Sequence, residues 1–215
     1  MATSVSQRLL TADEFLRIDF GPDLKAELDN GVIRMIAGGS RRHNRIQVNL
    51  LVALGSRLRG SGCRRNGSDM GIRTHDGSVR YPDVSISCGP EAPEDDADRA
   101  LDEPRVIVEV LLPSTAGHDR GFKVPEYQAL ASVELIALID PDRERLHIFQ
   151  RTGRRPDVWS EIIHVDPADL DLPALGVTVP HAGISRATDG RLAAVSRGGL
   201  SSPVQPARAI LAGDK

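Results

Sequence analysis

The sequence predicts a mixed α/β protein in which a central sheet is flanked by helices. Apolar residues at helical spacing alternate along the chain with short Val- and Ile-rich segments bounded by Gly, Pro, Asp or Ser. Between residues 105 and 140 a strand, a short helix and another strand follow one another, which favours a parallel crossover in a mixed sheet. At 215 residues, the chain has the length of one sizeable domain.

The N-terminal part is predicted to contain a short helix, a hairpin and a longer helix. Thr11 and Glu14 form the pattern of a capping box, which predicts a helix from about residue 12. The NG dipeptide at 30–31 lies between two runs of partial alternation, a frequent signal of a short hairpin, and Glu27 falls on its first strand. Leucines and isoleucines at helical spacing predict a helix over residues 41–59, with arginines on its other face.

Six further segments have the length and composition of strands. They are MGIRT (70–74), VRYPDVSIS (79–87), RVIVEVLL (105–112), VELIALID (133–140), RLHIFQRT (145–152) and VWSEIIHV (158–165). After the third of these, a short helix is expected with Pro125 in its first turn. Residues 1–183 are expected to form a single domain. Residues 184–215 have no aromatic residue and many Ser, Gly, Ala and Arg, and are expected to form a poorly packed tail.

Composition indicates an aliphatic core and no membrane span. Aromatic residues make up only 3% of the chain, so Val, Leu, Ile and Ala must fill the core. No window approaches the roughly 18 consecutive apolar residues of a membrane span, and the first residues have no apolar signal segment, so the sequence favours the cytoplasm. Cys63 and Cys88 have neither the number nor the spacing of a disulfide framework and are expected as small, buried or half-buried side chains.

Charge is unevenly distributed along the chain. Residues 30–68 contain eight arginines and no acidic residue, whereas residues 90–104 contain seven acids and one arginine and are expected to form an exposed loop. The arginines of the first segment, in particular Arg41, Arg42 and Arg45, are candidates for contacts with phosphate. The alternative is that they only keep the surface of a helix soluble.

One carboxylate lies in the middle of the most apolar predicted strand. An ionised Glu109 in that position costs several kcal/mol unless a cation pairs with it. Asp83 follows a proline in another predicted strand, and Lys123 begins the helix after the Glu109 strand. Two adjacent carboxylates repel each other unless a divalent cation lies between them, and Mg²⁺ prefers carboxylate oxygen and water. The alternatives are a turn role for Asp83 and a structural salt bridge for Glu109.

These residues carry a resemblance to a known family. Proline-aspartate followed by a hydrophobic strand with a central glutamate resembles the PD-(D/E)xK nuclease superfamily. Within it, the string VEVLLPSTAGHDRGFKVPEYQALASVELIALIDP (108–141) is similar to the Uma-type family of restriction endonucleases, and residues 26–54 are similar to that family's N-terminal hairpin and helix. The resemblance covers roughly residues 10–149. It implies a restriction-endonuclease-like fold with a central mixed sheet.

The resemblance also implies a metal site. It makes Asp83 and Glu109 metal ligands, with the main-chain carbonyl of Val110 as a further ligand and Mg²⁺ or Mn²⁺ as the cofactor. The superfamily's lysine would stand two residues after the glutamate, where this chain has Leu111. The role therefore passes to Lys123 on the following helix.

Two upstream residues match the same family pattern. Glu27 corresponds to an upstream acid that in related nucleases contacts the metal site directly or through water, which makes it a catalytic residue, although the tyrosine that usually precedes it is Ala26 here. His43 also stands at a position of the family motif, and the pattern assigns it no role.

The implied function is metal-dependent hydrolysis of DNA phosphodiester bonds. Arg41, Arg42 and Arg45 would hold the DNA backbone without reading its sequence, and a homodimer would cut both strands. One alternative is a nuclease-fold protein that has lost cleavage and serves as a DNA-binding or oligomeric interaction module. Another is a purely structural protein with a neutralised acid.

Overall fold

The computed structural model describes residues 8–90, 98–113, 116–153 and 157–186. The helices of this part are α1 (Ala12–Leu16), α2 (Arg41–Arg57), α3 (Ala116–His118), α4 (Val124–Ala129) and α5 (His181–Ser185), with a π-helical turn over Asp119–Lys123 and a 3-10 turn over Pro173–Leu175. Its strands are β1 (Lys25–Asp29), β2 (Val32–Ile36), β3 (Cys63–Gly67), β4 (Gly71–Arg73), β5 (Val79–Arg80), β6 (Val84–Cys88), β7 (Ala100–Leu101), β8 (Val106–Val110), β9 (Leu135–Asp140), β10 (Arg145–Arg151), β11 (Trp159–His164), β12 (Leu170–Leu172) and β13 (Val177–Val179).

The strands form two larger sheets and a two-stranded ribbon. The six-stranded sheet has the order β11-β10-β9-β8-β6-β3, and β8 and β9 run parallel within it. This arrangement confirms the predicted mixed α/β class and the parallel crossover. A five-stranded sheet of order β2-β1-β5-β4-β7 lies beside the expected central one, and β12 pairs with β13.

The helix α1 and the first hairpin are confirmed. The side chain of Thr11 accepts a hydrogen bond from the main-chain N–H of Glu14, and the Glu14 side chain accepts one from the N–H of Thr11, so the capping box is complete. Asn30 and Gly31 have φ values of 48° and 82°. Positive φ at both central residues is what a tight two-residue hairpin requires, and Gly adopts it without steric cost.

The prediction of one strand over residues 79–87 is wrong. β5 belongs to the five-stranded sheet and β6 to the six-stranded sheet. Pro82 lies in the link between them, where its missing N–H cannot leave a gap in a strand ladder. The break therefore places Asp83 at the junction of the two sheets.

The alternation of side chains along β8 decides which way Glu109 points. Val106, Val108 and Val110 share one hydrophobic cluster with the apolar face of α2. Ile107 lies in another cluster, together with residues of α4. Because successive side chains of a strand point to opposite faces, Glu109 points to the same face as Ile107, toward α4.

The two cysteines are half-buried as expected, but the expectation that they form no disulfide is wrong. Cys63 and Cys88 lie opposite each other in the antiparallel pairing of β3 with β6, and they form a disulfide with an S–S distance of 2.03 Å. The pairing depends on β3, a polar strand (CRRNG) that hydrophobic alternation does not reveal.

The acidic segment over residues 90–104 is only partly a loop. Ala100 and Leu101 form β7, which pairs in parallel with β4, and Ala100 is buried. Residues 91–97 of this segment lie outside the described residues.

α5 is the last described element. Ile184 packs into the main core, and Asn49 of α2 donates hydrogen bonds to the main-chain carbonyls of Ile184 and Arg186 at 2.9 and 3.0 Å. From residue 187 onward, the predicted tail lies outside the described residues. Among the helices of the described ranges, none is long and apolar enough to cross a membrane.

Candidate active site

Four of the predicted site residues come together in the fold. Glu27 lies on β1, Asp83 just before β6, Glu109 on β8 and Lys123 at the end of the π-helical turn. Each is at least nine-tenths buried, with between 1 and 8% of its surface exposed. Lys123 Nζ lies 3.0 Å from Glu27 Oε1 and 3.5 Å from Glu109 Oε1. In the superfamily pattern, the lysine stands two residues after the glutamate. Here Lys123, which lies after β8, reaches Glu109 instead.

The π-helical turn adds a carboxylate that the sequence reasoning missed. Lys123 Nζ lies 3.4 Å from Asp119 Oδ1. The N–H of Val124 donates to the main-chain carbonyl of Asp119, five residues back, as in a π-helix. Pro125 explains the widening, because its ring would collide with the Gly121 carbonyl in a regular α-helix. That proline was the available signal, although it does not reveal which side chains the wider turn brings together.

Glu109 lies between a hydroxyl group and the lysine. The Tyr127 hydroxyl of α4 donates to Glu109 Oε1 at 2.8 Å. Burial raises the pKa of Glu109 and Lys123 opposes this, whereas neighbouring carboxylates reinforce it, so that the pKa lies at about 8. Burial and the neighbouring acids therefore favour the neutral form of Glu109, Lys123 favours the charged form, and a further cation beside it would favour the charged form more.

Asp83 is held by α2 and by β8. Its Oδ2 accepts a hydrogen bond from the N–H of Val110 at 2.7 Å and lies 3.1 Å from His43 Nε2. Gln47 donates to the main-chain carbonyl of Asp83 at 2.9 Å. The hydrogen bond with Asp83 raises the pKa of the His43 imidazole, burial opposes this, and the Val110 main chain also favours the charged form. His43, to which the sequence pattern assigned no role, thus contacts a predicted metal ligand.

Glu27 is held by a second buried cation. Its Oε1 accepts a hydrogen bond from the N–H of Tyr81 at 3.1 Å, and Arg80 Nη1 lies 3.6 Å from its Oε2. Arg80 is fully buried and binds Glu126 through two hydrogen bonds of 2.6 Å and Asp29 through one of 2.9 Å. Arg80 therefore connects β1, β5 and α4 behind the site. The sequence reasoning missed it as well.

The charges at the site leave room for a cation. Three carboxylates converge on Lys123, and the charge of Asp83 acts on Glu109 beside them. Arg80 is bound mainly to two acids outside this group, and the imidazole of His43 contacts only Asp83 among these four carboxylates. Negative charge is therefore in surplus around Glu109 and Asp83, as a divalent cation requires.

The donor set fits an open site better than a closed metal cage. Within the described ranges, no group of three or more His, Cys, Asp or Glu side chains is arranged to hold a metal ion. The hydrogen bonds to these carboxylates fall on Oδ2 of Asp83 and Oε1 of Glu109, which leaves their second oxygens for a ligand. Two carboxylates with water are the usual protein contribution to an Mg²⁺ site. The role of the Val110 carbonyl as a further ligand stays a prediction.

The predicted DNA-binding arginines lie at the start of α2. Arg41 and Arg42 are exposed, and Arg45 is half-buried. Arg42 is 3.5 Å from Asp142 Oδ1 and 3.9 Å from Glu144 Oε1, so a phosphate would have to compete with two exposed acids for it. Such exposed pairs contribute little, about 0–1 kcal/mol each. The role of these arginines in binding nucleic acid stays a prediction.

The chain is similar to known proteins over most of its length. Residues 12–179 match the Uma2 family, whose description reads "Putative restriction endonuclease". The chain is 30% identical to the uncharacterized protein sll1609 of Synechocystis sp. over 164 residues, which are 76% of this chain and 93% of that protein. It is 33% identical to the uncharacterized protein slr1290 of the same organism over 170 residues, 79% of this chain and 87% of the relative.

A solved structure shares the fold. The crystal structure of "a putative nuclease belonging to DUF820" from Anabaena variabilis superposes with a TM-score of 0.65 at 17% sequence identity. The alignment covers 81% of this chain and 97% of that chain. The family resemblance inferred from the sequence is confirmed.

Proposed function

Because the chain belongs to the Uma2 family of putative restriction endonucleases, we propose that it hydrolyses DNA phosphodiester bonds with Mg²⁺ or Mn²⁺ as its cofactor. The observation that carries the proposal is the buried cluster in which Glu27, Glu109 and Asp119 converge on the ammonium group of Lys123. A glutamate in this position costs stability unless a cation is bound beside it. In a metal-dependent nuclease, the bound metal ion would be that cation.

Asp83 and Glu109 would hold the ion. When bound, a divalent cation would polarise a phosphate oxygen and lower the pKa of its own bound water, which supplies a nucleophile at neutral pH. Lys123, fixed between Glu27 and Glu109, would orient the attacking water and stabilise the charge that develops on the phosphoryl oxygens. Glu27 would act through Lys123, because their contact of 3.0 Å sets the position of the ammonium group.

The proposal extends to the partners of the protein. Arg41, Arg42 and Arg45 would contact the phosphates of DNA, and a homodimer would present one site to each strand. The expected cytoplasmic location is part of the same proposal. In that compartment Cys63 and Cys88 would be reduced thiols, since the cytosol keeps thiols reduced.

Cleavage of supercoiled plasmid DNA tests the proposal. The wild type should nick the plasmid with millimolar Mg²⁺ or Mn²⁺ and stop when EDTA is added. Glu109→Gln and Asp83→Asn should lower the rate by about 100-fold or more, since each removes charge needed to bind the ion. Glu134→Gln is the matched control, because Glu134 pairs with Arg105 just before β9 and β8, at partly exposed side chains.

Two results would contradict the proposal. Full cleavage by Glu109→Gln would show that the metal site lies elsewhere. DNA binding by the wild type without any metal-dependent nicking would instead support the non-catalytic module. The feature of the sequence that would agree with this result is Leu111, which occupies the superfamily's lysine position.

DNA binding by α2 has a separate test. Changing Arg41, Arg42 and Arg45 together to glutamine should weaken binding, and the slope of log K against log salt should become shallower by about 0.9 for each phosphate that the variant no longer neutralises. The measurement is fluorescence anisotropy with a labelled duplex at several salt concentrations. Arg59→Gln, an exposed arginine just beyond the other end of α2, is the control. Unchanged affinity and slope in the triple variant would assign these arginines to solubility.

A further inference from the structure

α2 contacts Asp83 at two points. His43 Nε2 lies 3.1 Å from the Asp83 Oδ2 atom, and Gln47 Nε2 donates to the main-chain carbonyl of the same residue at 2.9 Å. His43 and Gln47 are four residues apart, so they lie on one face of the helix. The helix therefore holds both the side chain and the backbone of this predicted metal ligand.

The strand ladders do not hold the main chain of Asp83. The ladders of β6 with β3 and β8 begin at Val84, one residue later. Asp83 lies in the link after Pro82, at the junction of two sheets. Its main-chain carbonyl is bound by a side chain of α2 instead of a neighbouring strand. The main chain of Asp83 is consequently held by α2, and its carboxylate by α2 together with Val110 of β8.

The carboxylate of Asp83 is held through a single oxygen. Oδ2 accepts the N–H of Val110 at 2.7 Å and faces His43 Nε2. The imidazole donates from Nε2 in its protonated form and in one neutral tautomer, so a change of protonation does not by itself remove the bond. Two donors on Oδ2 fix the rotation of the carboxylate and leave Oδ1 available to a ligand.

We propose that His43 is a positioning residue, which holds the Asp83 carboxylate in the orientation that binds the metal ion. This inference rests on the proposed metal-dependent function. Groups that orient a ligating carboxylate typically change metal affinity by about 10–100-fold when they are removed. His43 would act in this way through its Nε2 donor, and Gln47 would support the same residue from its main chain.

A pair of substitutions separates the donor from the bulk of the ring. Glutamine can place an amide N–H close to the position of Nε2, whereas leucine fills similar space without a donor. We expect His43→Leu to weaken Mn²⁺ binding by about 10–100-fold and His43→Gln to restore most of the affinity. Asn44→Ala, an exposed residue in the same turn of α2, should bind Mn²⁺ as the wild type does.

Mn²⁺ binding is measured on the full chain without DNA, by electron paramagnetic resonance of the free ion, so the readout does not depend on cleavage. The melting temperature of each metal-free variant shows whether it is folded. If His43→Leu is not folded, His43→Asn replaces it, because the shorter amide of asparagine does not reach Oδ2. Wild-type affinity in the donor-free variant would overturn the role of His43 alone. An equal loss in both His43→Leu and His43→Gln would overturn the donor role. Absence of Mn²⁺ binding by the wild type would overturn the metal site, and this inference with it.

Discussion

Replacing Lys123 by methionine is expected to lower the rate of DNA cleavage by about 100-fold or more and the free energy of unfolding by about 3–5 kcal/mol. Methionine has a similar length but no charge. It would leave the carboxylates of Glu27, Glu109 and Asp119 buried around an apolar group, where the ammonium group of the wild type lies 3.0, 3.5 and 3.4 Å from them. Removing one partner of a buried ion pair is costly because the other remains desolvated.

The two effects are measured by plasmid cleavage and by urea unfolding. Cleavage is compared only where circular dichroism shows the variant to be folded. Lys25→Met is the matched control: the Lys25 side chain is 37% exposed and pairs with a fully exposed Asp69, so its loss should change the free energy of unfolding by no more than about 1 kcal/mol. Wild-type stability in Lys123→Met would mean that the acids of the site are neutralised by another route.

Replacing Arg80 by methionine is expected to lower the free energy of unfolding by about 3–5 kcal/mol. The guanidinium group is fully buried and forms hydrogen bonds with Glu126 and Asp29 while lying 3.6 Å from Glu27. Its loss would leave Glu126 buried without this cation and disconnect β1 and β5 from α4, whereas Glu27 keeps Lys123 and Asp29 keeps Arg34. Arg80→Lys should recover only part of the stability, because an ammonium group cannot reproduce the bidentate contact with Glu126.

Urea unfolding of single and double variants measures this contribution. Glu126→Gln should be less harmful when combined with Arg80→Met than in the wild type, because the two residues interact directly. Arg73→Met is the control, since the half-buried Arg73 pairs with the exposed side chains of Asp13 and Asp102. Additive effects of Arg80→Met and Glu126→Gln would show that the pair does not stabilise the fold as a unit.

Local signals predicted the elements that depend on local interactions. The capping box of α1 and the Asn30-Gly31 turn each involve residues within three positions of one another. The helix predicted over residues 41–59 ends at Arg57 in the structure, a difference of two residues. These features form because nearby backbone groups satisfy each other, so a short window of sequence contains the necessary information.

The same reasoning failed where distant segments meet. Pro82 and Asp83 read as the middle of one strand, but the chain passes from one sheet to another there. The Cys63–Cys88 bond follows from the register of β3 against β6, two segments that are separated by two short strands along the chain. Strand pairing is set by tertiary packing and not by intrinsic preference, which explains why β3 was missed.

The sequence identified key residues of the site, but it did not show which residues contact them. The apolar strand around Glu109 made a buried carboxylate evident, since such a residue requires a cation. Lys123 was identified by resemblance, and the structure places its Nζ 3.5 Å from Glu109 Oε1. Asp119 and Tyr127 had no signal of their own, because an aspartate or tyrosine in a short helix is ordinary until the fold brings it to the carboxylate.

The sequence alone determined the fold class, the first hairpin, the long basic helix and the presence of a carboxylate that needs positive charge. These follow from periodicity, turn chemistry and the cost of burying charge, which act over a few residues or on a single residue. Only the tertiary structure decided that Arg80 holds Glu27 and that His43 holds Asp83. Those contacts join residues 40 or more positions apart, and their formation requires that the sheets and α2 have already packed together.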